Sequence, residues 1–289
     1  MRRLITSCLL LLFAQSSHAE PLYWQVQKGG LKYIVIGSVH VGDESMYPLP
    51  QPVFNNLKNS RGLIVETDIR ENRGVVYPQV TISTQDVLNQ AQQKNILGLA
   101  NLLELNGKDL LKMPPWAAAL TIQMRQIDYL GYSAADGVDS RLMYKAALWD
   151  VPTLSLESVQ FQIDLLTGQS QAGKEMLVSI LDEFDHSEDA MRCLITSWKS
   201  GDIEKLNEFA SLTKMSPEFE HAFLTTRNVD WAKKLSDPQW LPEQTGTYVV
   251  VVGTLHLIGQ QSVLALLAAD GFKVKQLSNS EPARCEFKF

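Results

Sequence analysis

The stretch Ile34-Val35-Ile36-Gly37-Ser38-Val39-His40 has a counterpart near the other end of the chain, Val250-Val251-Val252-Gly253-Thr254-Leu255-His256. Each copy is an apolar, β-branched run, which reads as a buried strand. Each then continues as Gly, a hydroxyl residue, an aliphatic residue and His. With 17 Gly and 5 His in 289 residues, chance supplies about 0.3 Gly-x-x-His matches. Two are present, both at strand ends. Each is followed by a helical pattern and another strand. The expected fold is therefore α/β (α+β-like): a central mixed sheet built from two strand–GxxH–helix–strand units, with a large helical insert over about 83–237. Ligands of open α/β sheets sit beyond the carboxyl ends of strands, and Gly permits a sharp exit turn there. His40 and His256 are thus candidate site residues. Ser38 and Thr254 would hold the turns or support the site from behind. The competing reading is a pair of core histidines bonded to backbone.

Working outward, Tyr23–Gln27 and Leu31–Ile36 flank Gly29-Gly30 as a hairpin, and 51–60 is a short helix. Gly62–Thr67 is a buried strand, expected to lie beside the first GxxH strand. Glu66 closes it and is the third site candidate, because a carboxylate after a buried strand needs a partner. Asp68 reads as a solvated neighbour. Ser83-Thr84 opens a helix expected to run to Gly107, and Pro115 sits at the first position of another that ends at Gly131. Further helices are expected over 137–149, 161–166, 176–184, 189–198, 203–212 and 218–235. Pro152–Glu157, Tyr248–Val252 and Phe272–Leu277 are strands, with a helix over 260–269. His186 reads as part of a solvated turn and His221 as a helix-surface residue.

The chain has 26 Lys+Arg against 32 Asp+Glu, a net charge of −6, with 45% hydrophobic and 20% charged residues. That balance argues for a packed globular chain and against a nucleic-acid binder, which needs clustered cations. Residues 1–19 have the form of a secretory signal: Arg2 and Arg3, an apolar run over 4–14, then Ser17-His18-Ala19 as a cleavage site. The apolar run is too short for the roughly 20 residues of a membrane span. The expectation is an exported protein, periplasmic or secreted, with no stable span after cleavage and one domain over 20–289. Cleavage leaves Cys193 and Cys285, either bridged or two separate buried thiols.

Taken in order, these residues resemble the TraB/GumN family, in the wider grouping of the Tiki proteases and, more remotely, the erythromycin-esterase and ChaN-like folds. The resemblance rests on Gly37–His40, Glu66, Pro115-Trp116, Gly131-Tyr132, Gly137-Val138-Asp139, Leu156-Glu157-Ser158 with Gln160, Arg227-Asn228 with Trp231, and Gly253–His256. Ser38 stands where the family more often has Thr. The resemblance implies a metal-dependent hydrolase, in the Tiki branch a metalloprotease, with Mn²⁺ or Co²⁺ as the usual ion. The leading expectation is a peptidase, or a hydrolase of another small substrate, in which His40, His256 and Glu66 bind one divalent ion (Mn, Co or Zn), a known hydrolytic ligand set. Glu66 is alternatively the general base. Arg227 and Asn228 would stabilise charge on the substrate carbonyl, the competing reading being a helix face with Arg227 in an ordinary salt bridge. Asp139 and Glu157 would either support the site from behind or serve as structural caps. The rivals are a metal-independent, esterase-like hydrolase with a His–Glu base, and a non-enzymatic haem- or iron-binding protein. The sequence specifies no oligomeric state.

Overall fold

The computed structural model describes residues 19–288. The signal segment, Ala19 excepted, lies outside the described residues. The N-terminal hairpin is β1 (Tyr23–Lys28) and β2 (Leu31–Ser38), followed by α1 (Gln51–Lys58) and β3 (Leu63–Val65). The insert contains α2 (Thr84–Val87), α3 (Gln90–Leu102), α4 (Gly107–Lys112), α5 (Pro115–Tyr129) and α6 (Val138–Leu148), then β4 (Thr153–Ser155). It continues as α7 (Val159–Thr167), α8 (Lys174–Asp182), α9 (Ser187–Ser200), α10 (Ile203–Leu212), α11 (Pro217–Glu220) and α12 (Thr226–Ser236). The chain returns to the sheet as β5 (Gly246–Gly253), α13 (Val263–Ala269) and β6 (Lys273–Gln276).

The described strands form one six-stranded mixed sheet in the order β4-β3-β5-β2-β1-β6. β2 pairs with β5 and β5 with β3 in parallel, and β3 with β4 likewise, while β1 runs antiparallel to both its neighbours. The parallel centre explains the unbroken apolar runs: Ile34–Ile36 and Val249–Val252 are buried on both faces. One expected neighbour is wrong. β3 lies beside β5 and β4 rather than beside β2, because the second motif strand inserts between the two. Short apolar strands carry no signal of their order across a sheet.

The insert differs from its expectation where local caps compete with hydrophobic periodicity. Asn89 and Gln92 cap each other reciprocally and start α3 afresh. Gly107, expected to end a helix, begins α4 behind the Asn106 cap. The expected 218–235 helix is interrupted by a π turn over His221–Thr225. Within the insert, Ile96, Leu99, Leu110, Ala118, Ile122, Leu177 and Leu181 make an apolar cluster separate from the one that covers the sheet.

Among the long-range ties that hold α9 to the rest, two are to the sheet end and to the C-terminal segment. The fully buried Trp198 indole donates to the Gly37 carbonyl at 2.9 Å. Cys193 is disulfide-bonded to Cys285, joining α9 to the C-terminal segment. Among the described residues, no helix is long and apolar enough to cross a membrane.

Ile36 is fully buried at the centre of the sheet. Ile36→Ala should lower unfolding free energy by about 2–5 kcal/mol, whereas the exposed Leu148→Ala should stay within about 0.5 kcal/mol. Urea titrations of the two variants provide the comparison.

Candidate active site

Parallel pairing brings the two GxxH motifs to one place. Gly37 lies opposite Val252, and Ser38 opposite Gly253, so both chains leave the sheet at the same edge. The first glycine makes room for the second motif: a Cβ on Gly37 would lie 2.7 Å from Thr254 Oγ1. Thr254 Oγ1 donates instead to the Ser38 carbonyl at 2.9 Å. The second glycine makes room for the site itself. A Cβ on Gly253 would lie 3.2 Å from Glu66 Oε1, 3.5 Å from His40 Nε2 and 3.5 Å from His256 Cδ2. The three side chains singled out in the sequence therefore surround one small hollow. His40 Nε2 and His256 Cδ2 lie no farther apart than twice 3.5 Å.

His40 is oriented from behind. Its Nδ1 lies 2.9 Å from Asp139 Oδ2, and the other carboxylate oxygen accepts from Ser38 Oγ at 2.9 Å. A carboxylate only accepts, so Nδ1 carries a proton, and Nε2 has its lone pair only when the ring is neutral. Gly137 permits this approach, since a Cβ there would collide with the His40 carbonyl. The adjoining Val138 N–H donates to Val39 O at 3.1 Å. The imidazole is 62% exposed to the cleft, so neighbouring charge rather than burial governs its ionisation. The Asp139 carboxylate foremost, with help from Glu66, raises its pKa to about 9.

Glu66, Arg227, Glu157 and His256 form the buried half of the site. Glu66 Oε1 accepts from the Gly253 N–H at 2.7 Å and lies 3.8 Å from His40 Nε2. Its Oε2 accepts from Arg227 Nη2 at 2.7 Å. Burial pushes the Glu66 pKa up, but His40, His256, Arg227 and the Gly253 N–H outweigh it and hold the group near 2. All five N–H donors of Arg227 are engaged. Nε donates to Glu157 Oε2 at 3.1 Å, and Nη2 donates to Glu66 and to Glu157 Oε1. Nη1 donates to Phe223 O at 3.1 Å and lies 3.2 Å from His256 Nε2. His256 Nδ1 lies 2.6 Å from Asn228 Oδ1, while Asn228 Nδ2 donates to Gln261 O at 2.9 Å. The proton is therefore on Nδ1, and Nε2 accepts from the guanidinium. Burial lowers the His256 pKa to about 4, so the ring is neutral.

These partners revise several expected roles. Arg227 has no donor left for a substrate carbonyl, and Asn228 commits its Oδ1 to His256 and one amide N–H to Gln261 O; the two residues fix Glu66 and His256. One of the expected metal ligands, His256, is capped by Arg227 at Nε2. Glu157 anchors Arg227 and also accepts from the Trp231 indole at 3.1 Å. Asp68 is buried, not solvated, and pairs with Arg70. His186 and His221 lie outside this cluster on the exposed surface. Phe223 escaped the sequence reading, although it stands one helical turn before Arg227, where the two residues share a face.

Two cavities meet over the cluster, sharing His40, Phe223 and Arg227. One, of about 370 Å³, is walled by Ile69, Met143, Leu165 and Leu166. The other, of about 270 Å³, is walled by Leu194, Leu206, Phe209, Leu224 and Leu255.

A mixed α/β fold with paired strand-end histidines around a buried carboxylate is the framework in which comparison with known proteins becomes informative. The TraB/PrgY/gumN family profile matches residues 22–276, and the chain belongs to that family. It is similar to the uncharacterized protein YbaP of Escherichia coli (strain K12), at 25% identity over 83% of this chain and 89% of that protein. The YbaP of Shigella flexneri is 26% identical over 81% of this chain and 86% of its own length. No solved structure matches significantly.

Removing Glu157 would leave Arg227 buried with one carboxylate partner and the Trp231 indole without its acceptor. Glu157→Ala should therefore cost about 3 kcal/mol of stability. Removing the exposed Glu104, paired with Arg125, should cost less than about 1 kcal/mol. Thermal or urea unfolding compares the two.

Proposed function

We propose that this protein is an exported hydrolase that uses one divalent cation, of the manganese, cobalt or zinc class, to cleave a peptide bond. The observation that carries the proposal is the 3.8 Å gap between His40 Nε2 and Glu66 Oε1 on the floor of the cleft. Ligand bonds of about 2.0–2.2 Å allow two donor atoms at that separation to share an ion. Both donors are held from behind, His40 by Asp139 and Glu66 by Arg227, as metal-binding side chains commonly are. His40 and Glu66 would hold the ion. When bound, it would supply Lewis acidity toward a substrate carbonyl.

The chain's own groups have defined parts in this scheme. Asp139 and Ser38 fix the His40 ring so that Nε2 faces the cleft. Arg227 keeps Glu66 ionised and turned toward His40. Asn228 holds the His256 tautomer whose Nε2 steadies Arg227. The signal-like residues 1–19 and the Cys193–Cys285 bond support the exported assignment, because disulfides persist in oxidising compartments.

A metal-independent mechanism has two observations in its favour. Among the described residues no three His, Cys, Asp or Glu side chains form a complete metal-binding group, and Arg227 occupies His256 Nε2. The two mechanisms separate in one experiment. Protein purified without chelator is assayed for metal content, titrated with Co²⁺ by visible absorption, and tested on a peptide library. Wild type should bind one equivalent, and His40→Ala and Glu66→Gln should lose both binding and cleavage. Asp139→Asn should weaken binding about 10–100-fold. His256→Ala should weaken it far less than His40→Ala. Cleavage by metal-free protein would favour the metal-independent mechanism; no binding and no cleavage would defeat both.

A further inference from the structure

We propose that the smaller cavity is a subsite for one apolar substrate side chain, and that the C-terminal segment sets its shape. The subsite belongs to the hydrolase site proposed above. Its walls are Leu194 on α9, Leu206 and Phe209 on α10, and Leu224 and Leu255, with Phe223 and His40 on the border with the larger cavity. The polar side chains at its inner end are already engaged. Ser38 donates to Asp139, Thr254 to Ser38 O, and Arg227 and His256 bond within the buried network. Past His40 on the border, a charged side chain reaching the Leu194, Leu206 and Phe209 walls would lose its hydration without gaining a partner. An apolar side chain would meet carbon from Leu194, Leu206, Phe209, Leu224 and Leu255.

The outer support of that cavity is the C-terminal segment. After β6, residues 277–288 form no helix or strand and run across α9 and α10. Glu281 N–H donates to Ser200 O at 2.9 Å, and Ala283 N–H donates to Asp202 Oδ2 at 2.7 Å. Asp202 also caps α10 through the Lys205 N–H at 3.0 Å. Cys285 is bonded to Cys193, the residue before Leu194. The Phe287 ring centre lies 5.3 Å from that of Phe209, and the Lys205 ammonium lies 5.9 Å from the Phe287 ring. Lys288 pairs with Asp189 at 3.4 Å. Three of these anchors coincide with, or stand next to, a wall residue: Cys193 beside Leu194, Lys205 beside Leu206, and Phe287 directly against Phe209. The segment therefore acts as a strap that fixes the two helices forming the far wall. None of these anchors is made to Met143, Leu165 or Leu166 of the larger cavity.

The test is methyl NMR on the full chain after chelator treatment, titrated with N-acetyl-leucine amide. The probe should shift the Leu206 and Leu224 methyls of the smaller cavity, while N-acetyl-aspartate amide should leave them unmoved. Phe287→Ala should weaken the leucine probe at Leu206 and Leu224 at least fivefold, and leave its effect at Leu165 and Leu166 within twofold. Cys193→Ser with Cys285→Ser should act in the same direction, and Phe287→Leu should restore most of the binding. An unchanged melting midpoint for Phe287→Ala separates the local effect from loss of fold. Absence of shifts at Leu206 and Leu224, equal loss in both cavities, or indifference to the strap variants would overturn the proposal. Because the probe is used without a cation, failure of Co²⁺ binding or of peptide cleavage would remove the hydrolase assignment and leave this result standing.

Discussion

A single buried guanidinium organises the site. Arg227 donates to Glu66, Glu157 and the Phe223 carbonyl and lies against His256 Nε2. These groups come from the residue after β3, from the segment after β4, from the π turn and from the short turn that follows β5. Taking the charges out of water costs several kcal/mol each, and attraction compensates only when the geometry is good and every donor is used. Here every donor is used. The network is thus better understood as a device that specifies relative position than as a net source of stability. It also divides the site into two halves. His256 is neutral, buried and committed to the protein. His40 is exposed, supported by Asp139, and turned toward the cleft.

That asymmetry was hidden in the sequence, where the two motifs look equivalent. Both read as strand, Gly, hydroxyl residue, aliphatic residue, His. Their difference arises from what lies behind each imidazole. Asp139 reaches His40 because Gly137 lets α6 begin against the His40 backbone. Asn228 reaches His256 from α12. Neither partner is local in sequence, so periodicity and composition could nominate the histidines without assigning their roles. The hydroxyls diverge in the same way: Ser38 serves Asp139, whereas Thr254 stitches the second motif to the first strand.

The elements that were legible are those dictated by local physics. Continuous β-branched runs marked β2 and β5, and Pro115 marked the start of α5. A carboxylate straight after an apolar strand marked Glu66 as needing a partner. What failed depends on competition or on long-range order. Asn89 and Asn106 supply caps strong enough to divide an apolar-periodic stretch into separate helices. The order of the strands is set by packing, which moved β3 to the far side of β5. Arg227 and Asn228 were nominated by the family resemblance, since chemistry alone left an ordinary salt bridge on a helix face open, and their use as internal supports emerges only when their hydrogen-bond partners are assigned.

The same separation of roles explains why the insert is placed where it is. The sheet and the two motifs supply a fixed floor, Gly253 with its three surrounding side chains, and a floor alone recognises nothing. Its walls come from the insert and its sequel: Met143 from α6, Leu165 and Leu166 from α7, Leu194 from α9, Leu206 and Phe209 from α10, and Phe223 from the π turn. π turns recur at functional positions because they displace side chains from regular helical spacing. This one lies immediately before Arg227, so the backbone that carries the dividing Phe223 also carries the central charge. A change in the walls can therefore proceed through residues that touch no part of the buried network, except at Phe223. There, cavity shape and the position of Arg227 are coupled through one carbonyl.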